Sequence, residues 1–183
     1  MRVFINPGHD MELDSGAVSP RTGRCEADIA SRIGGMVENY LLNAGCEVRL
    51  LQSDNLNGET PDRPCVCYEA NSWPSNVFVS IHCNSAESDL ARGTETLCYS
   101  AGGRGEKLAR CIQKQIVDSI GTVDRGVKVR DDLIVLKRTN MPAVLVELAF
   151  LSNEDDEKLL VTKFDEFARA VARGITDYEV KYF

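Results

Sequence analysis

The sequence predicts an α/β fold: one domain over residues 1–183, with a twisted, mostly parallel central sheet and helices on both faces. Three observations predict it. Strand-like and helix-like segments alternate along the chain. The segments Val3–Ile5, Val77–Ile81 and Ala143–Val146 are near-continuously apolar, as strands covered on both faces are. No internal repeat, Gly/Ser linker or composition break divides the 183 residues, a length that suits one domain.

The elements follow in order. Arg2–Asn6 is a short apolar run closed by Pro7-Gly8, and a long polar loop with Gly16, Pro20 and Gly23 comes next. From about Glu26 to Ala44, apolar side chains recur at helical spacing (Ile29, Ile33, Val37, Tyr40, Leu41), and Gly45 sits at the C′ position. Glu47–Leu51 reads as a strand, Asp54–Pro64 as a turn-rich polar segment and Cys65–Trp73 as a short helix. Val77–Ile81, β-branched and aromatic, is a buried strand. Thr94–Tyr99 is another strand, and Gly105–Ile120 a helix with Leu108, Ile112, Ile116 and Ile120 on one face. Val127–Val129 and Leu133–Leu136 are expected as short strands around an Arg-Asp-Asp turn. Ala143–Val146 is a buried strand entered through Pro142. Ser152 or Asn153 caps a short helix with an acidic first turn. Phe164, Phe167, Ala168, Val171, Ala172 and Ile175 mark a closing amphipathic helix.

Composition narrows the function. The chain is 43% hydrophobic and 27% charged, which is globular rather than fibrous or disordered. No apolar run approaches the roughly 18 residues of a membrane span. A net charge of −7 argues against a nucleic-acid backbone binder, which needs a basic face. The N-terminal apolar stretch is too short for a signal-peptide core, so no export signal is expected. The seven cysteines are odd in number and scattered, and they are expected to be reduced and mostly buried. Cys65-Val66-Cys67 without a second pair is a weak zinc signal.

The chemistry lies in three positions. The chain has only two histidines. His9 follows the Val3–Ile5 run, and His82 directly follows Val77–Ile81. Glu147 directly follows Ala143–Val146. Ligands bind at the carboxyl ends of strands in open α/β sheets, so neighbouring strands would bring the three together at one edge. Either histidine alone is more often a hydrogen-bonded structural residue, and Glu26 at a helix start is more often an acid favouring the dipole. A carboxylate ending an apolar strand is costly unless paired, hydrogen-bonded or metal-linked. Two imidazoles and a carboxylate suit a catalytic zinc site, which also needs a general base; Glu147 fits either part. The Asp10–Asp28 loop supplies the other carboxylates Asp10, Glu12, Asp14, Glu26 and Asp28. On an extended segment Cys83 points away from His82, so it is expected in the core and not as a ligand.

Five motifs carry a resemblance over nearly the whole chain, from Val3 to about Ala172. They are Asn6-Pro7-Gly8-His9 with Asp14-Ser15-Gly16-Ala17 and Gly23-Arg24-Cys25-Glu26; Ser80-Ile81-His82-Cys83-Asn84; Arg92-Gly93-Thr94-Glu95; Asp124-Arg125-Gly126-Val127-Lys128 running into Leu133–Leu136; and Pro142–Glu147 followed by Phe150–Asn153. In this order and spacing the sequence resembles the zinc-dependent N-acetylmuramoyl-L-alanine amidases of the Amidase_3 type, found in bacterial autolysins and phage endolysins. The resemblance implies that His9, Glu26 and His82 hold Zn²⁺ and that Glu147 is catalytic. It implies peptidoglycan as substrate, cut between N-acetylmuramic acid and L-alanine.

The chain also departs from the family pattern. Asp10-Met11 follows the first histidine where Gly-Gly is usual, and Asp10 is a candidate partner or tuner of the metal site. Arg63 lies too far upstream of Ala70-Asn71 to be the usual helix arginine, whose place Val66 takes. Ala149 replaces a glycine, which a negative φ tolerates.

The competing readings are a zinc peptidase or deacylase acting on a soluble substrate, and a wall-binding module without turnover. With no separate wall-binding domain read in the sequence, the expectation is a monomeric catalytic domain. It is made in the cytoplasm and reaches the wall after release, as a phage or prophage endolysin does, or it is excised from an exported protein. The acidic composition gives no electrostatic drive toward anionic wall polymers.

Overall fold

In a computed structural model that describes residues 1–183, the apolar runs become the strands of one six-stranded sheet. In chain order the elements are β1 (Arg2–Pro7), α1 (Glu26–Asn43), β2 (Glu47–Leu50), α2 (Val66–Ser72), β3 (Val77–Asn84), β4 (Thr94–Cys98), α3 (Arg104–Ile120), β5 (Asp124–Val129), α4 (Ile134–Arg138), β6 (Ala143–Phe150), α5 (Glu154–Thr162) and α6 (Phe164–Tyr182). The strand order is β2-β1-β3-β6-β4-β5. β2, β1, β3 and β6 run parallel; β4 is antiparallel to β6, and β5 is parallel to β4. The sheet is therefore mostly parallel, as expected.

Strand alternation sorts the core into two layers. Val3, Ile5, Val77, Val79, Ile81, Val144 and Val146 face α1, α3 and α6 in the larger cluster. Their neighbours Phe4, Phe78, Leu97 and Leu145 face α2 and α4 in the smaller one, where the Phe4 and Phe78 rings stack at 5.7 Å. Helices thus cover both faces. Cys83 is 3% exposed within the larger cluster, on the side away from His82, and all seven cysteines are free.

Leu133–Leu136 is not a strand. Ile134–Arg138 forms a short helix, and Val135 and Leu136 pack into the smaller cluster beside α2. Four apolar residues fit one turn of buried helix as well as a strand, and packing decides between them. At α5 the cap is Asn153, whose Oδ1 accepts the Asp156 N–H at 3.1 Å; Ser152 Oγ instead accepts the Ala86 N–H. Ala149 does not have positive φ.

The topology positions the site. β1, β3 and β6 are adjacent and parallel, so their carboxyl ends lie side by side. Asn6, Ser80 and Leu145 are in register, and one pleat further His82 pairs with Glu147. That row continues the face of Phe4 and Phe78, past the cover that α2 and α4 provide.

Candidate metal centre

His9 sits just beyond β1. The Gly8 N–H donates to Ile81 O at 2.9 Å, which carries the β1–β3 pairing one step past the strand. A Cβ at Gly8 would lie 2.3 Å from His82 Cε1, so only glycine lets the His82 ring lie against this turn. His9 itself has φ 61°, and it is the one non-glycine residue with positive φ. That conformation costs roughly 1–2 kcal/mol for an L-residue. Such strain concentrates at functional sites. The ring is held from both sides: Nδ1 lies 2.8 Å from Asp14 Oδ2, and Nε2 lies 3.1 Å from Glu26 Oε2.

Glu26 is the first residue of α1 and is 4% exposed. Its carboxylate is fixed by two backbone amides: Oε1 accepts the Cys83 N–H at 2.9 Å, and Oε2 accepts the Ala17 N–H at 2.9 Å. His82 Nδ1 lies 2.8 Å from Oε1. Space is tight here too, since a Cβ at Gly16 would lie 2.5 Å from His9 Cδ2 and 2.7 Å from Glu26 Oε2. One donor atom from each of His9, Glu26 and His82 lies within 4.8 Å of the other two. Borderline nitrogen and hard oxygen donors in this number suit Zn²⁺.

Glu147 stands beside this trio, in register with His82 on the neighbouring strand. On its other side it faces Glu95 across the antiparallel β4–β6 pair. Glu95 is held by Asn84 Nδ2, which donates to Oε1 at 3.0 Å, and by Arg125 Nε, which donates to Oε2 at 2.9 Å. Glu147 Oε2 is sealed from solvent and has no hydrogen-bond partner.

The electrostatics follow from these contacts. Burial opposes ionisation of Glu26, but hydrogen bonds from His82 and His9 outweigh it and hold the carboxyl well below the usual range. The hydrogen bond to Glu26, with help from Asp14, raises His9 to about 9 against the cost of burial. Glu147 moves the other way: burial, aided by the charges of Glu26 and Glu95, pushes it up to about 7. The histidines lower it, but not enough to cancel burial.

A cavity of about 160 Å³ opens beside the trio. It is lined by His9, His82 and Asp14, by Ser53, Asp54 and Leu56, and by the apolar Ile134 and Leu145.

The structure brings His9, Glu26, His82 and Glu147 to one edge of the sheet. It does not make Asp10 the partner of His9. That partner is Asp14, while Asp10 turns away to cap the Glu12 and Leu13 amides and to pair with Arg63. The three-residue step from Asp10 through Leu13 is a turn, and it returns the chain to the ring only at Asp14. The sequence places Glu95 in a motif but gives it no role; its position opposite Glu147 follows from the antiparallel pairing. Nor does the sequence give a role to Arg63, which reaches the metal-site loop from the segment before α2.

Two imidazoles and a carboxylate beside a carboxylate of raised proton affinity at a sheet edge are the kind of donor set that a metal-assisted hydrolase uses. Residues 3–177 match the N-acetylmuramoyl-L-alanine amidase family, Amidase_3. The chain belongs to that family, whose reaction is hydrolysis of the amide between N-acetylmuramic acid and L-alanine. It is 37% identical over 180 residues to the protein YqiI of Bacillus subtilis, covering 96% of this chain and 84% of YqiI. It is 33% identical over 181 residues to the N-acetylmuramoyl-L-alanine amidase LytC of the same organism, covering 96% of this chain but 35% of LytC. The solved structure of the N-acetylmuramoyl-L-alanine amidase AmiC2 of Nostoc punctiforme superposes with a TM-score of 0.87 at 29% identity, covering 99% of this chain and 98% of that one.

Proposed function

We propose that this chain is a zinc-dependent peptidoglycan amidase in which His9, Glu26 and His82 hold Zn²⁺ and Glu147 moves the proton. The observation that carries the reading is the convergence of those three donor groups within 4.8 Å, next to Glu147 in register with His82. The fit to zinc is chemical: two nitrogen donors, one carboxylate and a second carboxylate left free for proton transfer. When bound, Zn²⁺ acts as a Lewis acid toward the scissile carbonyl and makes nearby water more acidic.

The residues of the chain do the rest. Asp14 on Nδ1 sets the tautomer of His9 so that Nε2 presents its lone pair. The Cys83 and Ala17 amides keep Glu26 from swinging away. Glu147 has a raised proton affinity and, unlike its strand neighbours, is only half-buried; with Oε2 sealed, its other oxygen accepts the proton of the attacking water. The carbonyl carbon gains the water oxygen and the C–N bond breaks. Glu147 then delivers the proton to the departing nitrogen, which leaves as the amine of L-alanine while the lactyl group keeps a carboxylate. Glu95, tied to Arg125 and Asn84, faces Glu147 across the β4–β6 pair and helps keep the proton affinity of Glu147 high.

The test is digestion of purified peptidoglycan with and without a chelator. The expected result is new N-terminal alanine without new reducing sugar ends, abolished by chelator and restored by zinc. Release of reducing ends, or release that a chelator leaves untouched, would overturn the proposal.

A further inference from the structure

We infer that Arg63 is a positioning residue: a latch that fastens the Asp10–Asp14 turn to the segment around Asp54 and so holds His9 in place. This rests on the reading of His9 as a metal ligand.

One guanidinium gathers carboxylates from two segments. Arg63 Nη1 pairs with Asp10 Oδ2, and Nη2 donates to Glu12 Oε2 at 2.7 Å. Nη1 also lies 3.8 Å from Asp54 Oδ1, which is sealed from solvent and has no hydrogen bond. Arg63 is itself firmly mounted. The Asn55 amide, on a residue 1% exposed, donates to Arg63 O at 2.7 Å, and the Arg63 N–H donates to Thr60 O at 3.1 Å.

The turn needs such an anchor. It carries Asp10, Glu12 and Asp14 within five residues, close to the ionised Glu26. Its apolar residues do not hold it, since Met11 is 57% and Leu13 62% exposed. Within the turn, Asp10 Oδ1 caps the Glu12 and Leu13 amides, and the Asp10 N–H donates to Asp14 O at 2.8 Å. Asp14 then reaches His9 Nδ1. Arg63, Asp10, Asp14 and His9 therefore form one chain of contacts ending at a donor atom of the metal site. Both segments it joins line the same cavity, through Asp14 and Asp54. Losing the group hydrogen-bonded to a ligand, here Asp14, costs about 10–100-fold in metal affinity, and Arg63 acts on that group through Asp10, whereas an exposed ion pair alone would leave metal affinity unchanged.

The experiment is a competition titration of Zn²⁺ and Co²⁺ against a chromophoric chelator, with the Co²⁺ absorption spectrum as reporter of ligand geometry. Arg63→Ala should weaken metal binding several-fold, up to the roughly tenfold lower bound for losing a ligand's direct partner, and alter the Co²⁺ spectrum. Arg63→Lys keeps the charge but not the two-pronged grip, and should recover part of the loss. Asp14→Ala should weaken binding, and adding Arg63→Ala to it should cost little more, because both act through one chain. Asp10→Asn should reproduce Arg63→Ala, and it serves as the test if Arg63→Ala does not fold. Unchanged affinity in Arg63→Ala or Asp10→Asn, or full additivity with Asp14→Ala, would overturn the latch. The titration needs no substrate. A wild-type chain that binds metal but releases no alanine would sink the amidase reading and leave the latch standing.

Discussion

His82 and Glu147 occupy paired positions on adjacent parallel strands, so one pleat of the sheet sets a metal-ligand candidate beside the proposed base. The pairing is built from backbone hydrogen bonds rather than loops, and sites on such elements hold their geometry best. The two side chains have opposite duties. His82 is tied to Glu26, while Glu147 keeps one oxygen without a partner.

Glu147→Gln should therefore separate chemistry from metal binding. Turnover should fall by at least about 10²–10⁴-fold, the usual worth of general acid–base catalysis, with one metal still bound per chain. Metal analysis of the purified variant checks the second half. Loss of metal together with activity would make Glu147 a ligand.

The same variant should gain stability without metal. Glu147 in the fold holds its proton up to about 7, while an unfolded glutamate loses it near its ordinary value. Between those values the folded state binds more protons, so stability falls as pH rises through that window. Glu147→Gln removes that slope, and above pH 7 it should be more stable than the parent by about 3 kcal/mol. Denaturant melts of the two metal-free proteins at pH 5 and pH 8 measure it.

Metal and proton compete at His9. Its folded value of about 9 means that the ring is protonated at neutral pH without metal. Ligation needs the neutral imidazole, so binding at pH 7 should release about one proton, and affinity should climb with pH until about 9. Calorimetry in buffers of different ionisation enthalpy counts that proton. A release near zero at pH 7 would count against His9 as ligand.

Removing the charge opposite the base should move the acid limb of activity. Glu95 contributes to the raised proton affinity of Glu147, so Glu95→Gln should shift the acid limb of kcat/KM to lower pH. A profile that keeps its limb and only loses height would mean that Glu95 acts on substrate or structure instead.

Gly8→Ala tests the tight packing of the turn. The added methyl would lie 2.3–2.6 Å from three atoms of the His82 ring, which must give way. Metal binding should weaken while far-UV circular dichroism stays native, since β1 and β3 pair through residues before Gly8.

Much of this site was legible in the sequence because strand ends announce themselves. Apolar runs of four or five residues stop abruptly at His82 and Glu147, and Pro7-Gly8 stops the first run just before His9. Parallel pairing then turns three distant positions into one edge. Glu26 was legible only through the resemblance, because an acid at a helix start has an ordinary explanation. Glu95 was hidden by topology: nothing local says that β4 runs antiparallel to β6 and faces it residue for residue. Arg63 and Asp14 were hidden for another reason. Their roles arise from side chains meeting across a turn and across 53 residues of chain, which no periodicity encodes. Leu133–Leu136 was misread because an apolar tetrapeptide carries no period long enough to tell strand from helix.

The most direct test of the account is a crystal structure of the zinc-loaded protein, with data collected on both sides of the zinc absorption edge. One strong anomalous peak is expected, ligated by His9 Nε2, Glu26 and His82 Nδ1, with Glu147 close by but not bound to the metal. A peak elsewhere, or one ligated by Glu147 in place of Glu26, would contradict it.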